Sequence, residues 1–196
     1  MSAVRHPNVI SVAEYFEANN TLYMVMTHEE GRDLRWFMNK LAGDLDWGFL
    51  QQVFPPIGDG LWRMHQEGVV HLDVKPANVL LRTSGQPLLL DFGAAQTMDN
   101  DDRFGSFQTL THGFAPPEQY LDGNLGPWTD IYGLAATIYN CITGDSPPSA
   151  LKRRDGASLE KLTVSRSGAY PYTLLKAVED ALSLDQGQRP RDMHAF

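Results

Sequence analysis

His71-Leu72-Asp73-Val74-Lys75-Pro76-Ala77-Asn78 and, a short hairpin later, Asp91-Phe92-Gly93 form the stretch on which the reading of this chain turns. Between them, Val79-Leu80-Leu81 and Pro87-Leu88-Leu89-Leu90 read as two short apolar strands. Thr83-Ser84-Gly85-Gln86 reads as the turn that joins them. Folding that hairpin brings Asn78 near Asp91 and leaves Asp73 and Lys75 on the loop that feeds it. A carboxylate beside a lysine can take a proton from a hydroxyl while the ammonium steadies phosphate charge. An amide oxygen and a second carboxylate are hard oxygen ligands suited to Mg²⁺. Base, cation and metal ligands together describe phosphoryl transfer, in which positioning and charge neutralisation carry most of the catalysis. A hairpin with polar loops is the plain alternative, and Asp-Phe-Gly alone recurs by chance. The two segments at this separation are far more specific than either.

The stretch resembles the catalytic and metal-binding loops of the eukaryotic-type (Hanks-type) protein kinases, and most of all the bacterial serine/threonine kinases among them. The resemblance implies an α+β fold, with a mainly helical large lobe and, here, a remnant of the small β lobe. It implies Asp73 as catalytic base, Lys75 on the transferring phosphate, and Asn78 and Asp91 as Mg²⁺ ligands. Lys75 at its position also marks Ser/Thr specificity. ATP and Mg²⁺ are the implied cofactors, and proteins the implied substrates.

Composition fits an ordinary globular domain: 42% of residues are hydrophobic and 20% charged. Apolar runs are too short for a membrane span. Met1 to Pro7 lacks the apolar core of a signal peptide. The single cysteine, Cys141, excludes an internal disulfide and fits a reducing, cytoplasmic setting. A net charge of -8 argues against nucleic acid as a partner. The six histidines show no zinc-site spacing.

Along the chain, Val9, Ile10, Val12 and Glu14 to Glu17 read as one strand, Asn19-Asn20 as a turn, and Thr21 to Met26 as a second strand. By the resemblance, residues 1–27 are a small-lobe remnant, 28–30 the hinge and 31–196 the large lobe. Met26, Thr27, Glu29 and Leu80 are then the adenine-side ATP contacts. A helix is expected from Gly31, with Leu34, Phe37 and Met38 on one face. A second helical rhythm runs from 49 to 67, where Pro55-Pro56 should kink or interrupt it and Gly68 should end it. His65 reads as a packed or surface helix residue.

Trp128 to Tyr139 is apolar almost all round and reads as a buried helix, with Pro127 and Gly144 as punctuation. The resemblance makes Asp130 the acceptor for catalytic-loop N–H groups. It makes Thr111 the partner of Asp73 and Lys75, and Glu118 the interior ion-pair partner of Arg189. His71 stands with these as a structural residue. Thr97 to Phe107 reads as a polar mobile loop, whose Ser106 and Thr109 are plain solvated hydroxyls before they are phosphosites. Lys152-Arg153-Arg154-Asp155 reads as solvated surface, and Tyr172 to Leu184 as an amphipathic helix.

The resemblance also marks absences. No Gly-x-Gly-x-x-Gly occurs, and none of lysines 40, 75, 152, 161 and 176 precedes the hinge. An apolar face of the first hairpin, with Val12, Leu22 and Met24, should therefore meet water. These features suggest a piece of a longer kinase, or a lobe completed by another chain. A truncated, inactive kinase fold that scaffolds a partner is the alternative function. A small-molecule phosphotransferase is disfavoured by Pro116-Pro117-Glu118 and its implied arginine partner.

Leu72 departs from the family pattern, where arginine commonly pairs with a phosphate on the activation segment. Leucine cannot make that charge-assisted bond. Activity is therefore expected without phosphorylation of the 94–118 segment. A complete, phosphate-free preparation that stays inert until Thr109 or a neighbour is phosphorylated overturns this.

Overall fold

A computed structural model describes residues 4–41, 45–91, 95–97, 110–121 and 123–196. Its first elements are β1 (Val12–Ala18) and β2 (Thr21–Met26), an antiparallel hairpin. Asn19 and Asn20 turn between them with φ of 51° and 58°. Two positive φ values in a two-residue loop match the twist of paired strands, and asparagine tolerates them. Phe16 and Tyr23 face each other in register and stack at 5.1 Å. Tyr15, Phe16, Tyr23, Val25 and Met26 are exposed, whereas Val12 and Met24 are half-buried. By the register Tyr15 and Met26 share the expected face with Val12 and Met24, and Phe16 and Tyr23 lie on the other, so both faces of the hairpin present apolar side chains to water. The side chain of Leu22 lies outside the description.

Gly31 does not begin a helix. Gly31–Asp33 is β3, antiparallel to β5 (Val79–Arg82). A Cβ on Gly31 would stand 2.3 Å from the Leu81 carbonyl oxygen, so only glycine permits this pairing. The helix α1 (Leu34–Lys40) then starts, with the Asp33 side chain accepting the Trp36 N–H.

The two prolines do not interrupt α2 (Trp47–Gln66), which is one helix. Each proline removes one N–H, freeing the carbonyls of Gln51 and Gln52. Both glutamines are exposed, so water can satisfy those carbonyls. Meanwhile Leu50, Val53, Phe54, Ile57, Leu61 and Met64 are buried along the opposite side. Burial of a large side chain contributes roughly 1.5–3 kcal/mol, so six of them outweigh two lost bonds. Gly68, with φ 71°, closes the helix as expected.

β4 (Val69–Val70) leads into the quoted stretch. A short 3₁₀ turn, Pro76–Asn78, precedes β5, which pairs with β6 (Pro87–Leu89). Residues 8–10 run beside β6: Leu89 N–H donates to Asn8 O at 2.8 Å, and Ile10 N–H to Leu89 O at 2.9 Å. Val79, Leu81 and Leu89 join the main core, while Leu80 and Leu88 pack with Ile10 on the other face. This is the period-two alternation of a strand pair buried on both sides. β7 (Gln96–Thr97) pairs with β4, so Thr97 belongs to a strand rather than a loop.

The rest is helical: α3 (Pro117–Tyr120), α4 (Pro127–Thr143), α5 (Ala150–Arg154), α6 (Leu162–Ser165) and α7 (Tyr172–Ala181). α4 is buried along nearly its whole length and packs against α2 and α7. Cys141 is fully buried in it, and that burial raises its thiol pKa. Arg153 of α5 is not a surface charge. It donates to Leu182 O at 2.7 Å and to the Tyr132 hydroxyl at 3.3 Å. No helix among the described residues is long and apolar enough to cross a membrane.

One ion pair fixes α3 to this body. Arg189 grips both oxygens of Glu118, at 2.6 and 3.0 Å. Its remaining donors reach the carbonyls of Ser183 at 2.7 Å, Trp128 at 3.3 Å and Leu184 at 3.3 Å. The guanidinium lies 5.0 Å from the Tyr132 ring centroid. Both partners are buried, so removing one leaves a bare charge. Arg189→Met is expected to lower the unfolding free energy by roughly 3–5 kcal/mol in urea titrations. A loss below about 1 kcal/mol, the range of exposed pairs, contradicts this account.

Candidate active site

The loop between β4 and the 3₁₀ turn owes its shape to a carboxylate on α4. Asp130, 1% exposed, accepts the His71 N–H on Oδ2 at 2.8 Å and the Leu72 N–H on Oδ1 at 2.7 Å. His65 of α2 donates Nε2–H to Oδ2 at 2.8 Å. The His65 Nδ1 atom is buried and has no partner among the described residues. Burial pushes the Asp130 carboxyl pKa up, but the bonds and fields of His65 and His71 outweigh it and hold the group below its ordinary value. Gly133, one turn along α4, lets the helix approach the loop: a Cβ there would stand 3.1 Å from the Val74 carbonyl oxygen. The sequence reads His65 as a packed or surface helix residue; the structure packs it and adds the bond to Asp130. Its signal is a histidine on the buried side of α2 just before the loop, which a helical pattern alone does not distinguish from packing.

Leu72, whose N–H this latch holds, has φ 67°, and Asp73 follows. The Asp73 carboxylate sits among three side chains. Lys75 Nζ lies 2.6 Å from Oδ2, and Asn78 Nδ2 donates to Oδ2 at 3.0 Å. The Thr111 hydroxyl donates to Oδ1 at 3.0 Å and accepts from Lys75 Nζ at 3.1 Å. The Asp73 side chain stays 20% exposed, so the cluster opens to solvent. Asn78 Nδ2 also donates to the Asp73 carbonyl at 2.8 Å. Both amide hydrogens are therefore spent on Asp73, which directs Oδ1 of Asn78 away from it.

Asp91 ends the hairpin, exposed and with φ 67°. The residue before it is held twice. Leu90 N–H donates to Asn78 O at 2.8 Å, and His71 Nε2–H donates to Leu90 O at 2.9 Å. The other His71 nitrogen, Nδ1, accepts the Asp73 N–H at 3.3 Å. The structure thus brings Asp73, Lys75, Asn78 and Thr111 into contact, and His71 connects them to the segment that ends in Asp91. Phe92, Gly93, Ser106 and Thr109 lie outside the described residues.

The four adenine-side candidates are more dispersed. Leu80 is buried in β5. Met26, at the end of β2, is 41% exposed. The Thr27 N–H is taken by Ser11 O at 3.3 Å. The Glu29 carboxylate is bound by Arg82 at 2.9 and 3.2 Å, and Arg82 also donates to Pro7 O at 3.0 Å. That ion pair ties residue 29 to the end of the strand carrying Leu80.

Asp130 yields a pH-dependent prediction. A carboxyl whose pKa is lowered by folding contributes stability above its unfolded value, about 4, and loses it as pH falls through the folded value. Asp130→Asn replaces one acceptor oxygen with a donor facing donors. It is expected to cost about 1.5–3 kcal/mol at pH 7, as for a hydrogen bond to a charged group. The gap to wild type, followed by denaturant unfolding, should narrow as pH is lowered from 5 towards 3. A gap that stays constant over that range contradicts the charged latch.

The described geometry agrees with comparisons to known proteins. Sperm motility kinase 3A of Mus musculus is 29% identical over 191 residues, 95% of this chain and 36% of that protein. Serine/threonine-protein kinase PknK of Mycobacterium tuberculosis is 28% identical over 201 residues, 94% of this chain and 17% of that protein. The solved structure "PpkA-294 apo form" superposes with a TM-score of 0.81 at 31% identity, over 97% of this chain and 67% of that one. The chain spans well under half the length of these curated relatives. Residues 1–192 match the family described as "Protein kinase domain". With that match over nearly its whole length and the kinase fold in its structure, the chain belongs to the protein kinase family.

Proposed function

We propose that this chain is the catalytic part of a protein serine/threonine kinase, which moves the γ-phosphate of ATP to Ser or Thr hydroxyls of proteins with Mg²⁺ as the metal. The observation that carries this reading is the Asp73 carboxylate, held by Lys75, Asn78 and Thr111 within 2.6 to 3.0 Å. Protein kinases as a family use ATP, a divalent metal and protein substrates; Mg²⁺ and the Ser/Thr class are the finer parts of the proposal.

Each side chain has a role that its contacts support. Oδ2 of Asp73 already meets two donors and Oδ1 one. Oδ1 therefore keeps a lone pair to accept the proton of an incoming hydroxyl. Lys75, beside Asp73, offers positive charge to the transferring phosphate. Thr111 holds base and lysine in one geometry. Asn78 Oδ1 and the Asp91 carboxylate fit a Mg²⁺ ion, since both are hard oxygen donors and neither is a thiolate or imidazole. Among the described residues no group of three His, Cys, Asp or Glu side chains is placed to hold a metal ion, so phosphate and water oxygens would complete the shell. The bound ion would neutralise charge on the phosphates.

Residues 1–27 are then proposed as part of a small lobe, 28–30 as the hinge and 31–196 as the large lobe. Met26, Thr27, Glu29 and Leu80 lie towards adenine in this reading. The exposed aromatic surface of β1 and β2 is what further small-lobe strands, from the same polypeptide or a partner, would cover. A cytoplasmic site is proposed from the lone, buried Cys141. The scaffold alternative gains nothing from the geometry, because the base, lysine and amide are all present and in contact.

Two substitutions separate the roles. Asp73→Asn is expected to reduce phosphate transfer by about 10²–10⁴, the usual share of a general base, with ATP affinity retained. Asp91→Asn tolerates the positive φ but loses the charge, and should weaken both transfer and Mg²⁺-ATP binding. Radiolabel transfer to a generic protein substrate and calorimetric ATP titration measure these. Near-normal phosphorylation by either variant rejects the role given to it.

A further inference from the structure

Leu72 pairs a bulky side chain, 6% exposed, with φ 67°. The left-handed region costs such a residue roughly 1–2 kcal/mol, so its surroundings must enforce it. On the N–H side the enforcer is Asp130, at 2.7 Å. On the carbonyl side it is Gln119, whose Nε2–H donates to Leu72 O at 2.9 Å across 47 residues. Gln119 adjoins Glu118 on α3, which the Arg189 pair anchors to the helical body. The carbonyl that Gln119 holds belongs to the peptide unit whose N–H is that of Asp73. Among the described residues that N–H reaches His71 Nδ1 alone, at a longer 3.3 Å. The plane of the 72–73 peptide therefore depends on Gln119, and rotating that plane would swing the Asp73 carboxylate.

The leucine side chain offers no polar atom through which the segment ending in α3 could act. Among the described residues, what joins residues 110–121 to the loop is the Thr111 hydroxyl, between the Asp73 carboxylate and the Lys75 ammonium, and the Gln119 amide on the Leu72 carbonyl. We propose that Gln119 is a positioning residue for phosphate transfer. It locks the 72–73 peptide and so aims the base, coupling residues 110–121 to the loop through a neutral donor that needs no added charge. The catalytic half of this inference rests on the kinase reading; the clamp itself does not.

The test compares wild type with Gln119→Met, which keeps length but no donor, and Gln119→Lys, which restores a donor of similar reach. Amide exchange is followed by mass spectrometry on the peptide spanning residues 70–74, together with kcat, KM for ATP and Tm. Gln119→Met should speed exchange there up to about tenfold, the equivalent of one lost hydrogen bond. It should lower kcat by about tenfold, leaving KM for ATP and Tm near wild type. Gln119→Lys should recover both exchange and kcat. Unchanged exchange in the Met variant overturns the clamp, whatever the activity. Faster exchange with unchanged kcat overturns the positioning role, as does a Lys variant that behaves like Met, or a kcat loss matched by a general fall in Tm. A wild-type protein that transfers no phosphate rejects the kinase reading alone, because exchange still decides the clamp.

Discussion

Asp130 receives two main-chain N–H groups of the loop after β4 and fixes where the loop's course begins, and the contacts on the Leu72 and Asp73 carbonyls build on that start. An extended segment leaving a two-residue strand would ordinarily lose its hydrogen bonds to water. Here the carboxylate is 1% exposed, so water cannot compete. Such burial is tolerable only because three donors converge on the charge. The dependence runs both ways: the loop needs the carboxylate to be ordered, and the carboxylate needs the loop to stay ionised inside α4. His65 joins the first helix of the core to this exchange. The latch therefore links the packing of α2 against α4 to the loop that carries Asp73, although neither helix carries the proposed reacting groups.

How far the sequence disclosed this depends on the range of the interaction. The hairpin at 79–90 is local, and its alternation and turn residues declare it. The helix at 127–143 declares itself by being apolar all round, which few surface helices can be. The residues of the site were legible as a set because their chemistry is unusual when gathered in one stretch. Thr111, Asp130, Glu118 and Arg189 needed more, since they lie far along the chain. Only the resemblance to protein kinases supplied them.

What stayed hidden has a common physical cause: the competing term was tertiary. Proline propensity argues against a continuous helix at 55–56, but propensity does not know that the freed carbonyls face water while six side chains opposite are buried. Gly31 looked like the start of a helix because nothing local shows that the Leu81 carbonyl will press against it. Arg153 sits in a basic run, and such runs are usually solvated. Its inward turn follows from the Leu182 carbonyl and the hydroxyl of buried Tyr132, which accept from it and which the sequence does not place beside it. Gln119 belongs here too, because a glutamine on a short helix gives no sign that a strained carbonyl lies opposite.

The two left-handed residues of the site are the deepest of these hidden features. Leu72 and Asp91 share a φ of 67°, and neither is a glycine. Backbone strain of this kind survives only where several contacts over-determine it. His71 is the shared contact. Its ring accepts the N–H of Asp73, just after one strained residue, and donates to the carbonyl of Leu90, just before the other. The imidazole is fully buried, with both nitrogens committed, so it has no lone pair or proton to spare for chemistry. It works as a strut of fixed length between two turns. The proposed base and one proposed metal ligand are thereby set relative to each other by a rigid ring as well as by the buried hairpin that joins them in sequence. This explains why His71 belongs to the motif although both its ring nitrogens are bound to main-chain groups.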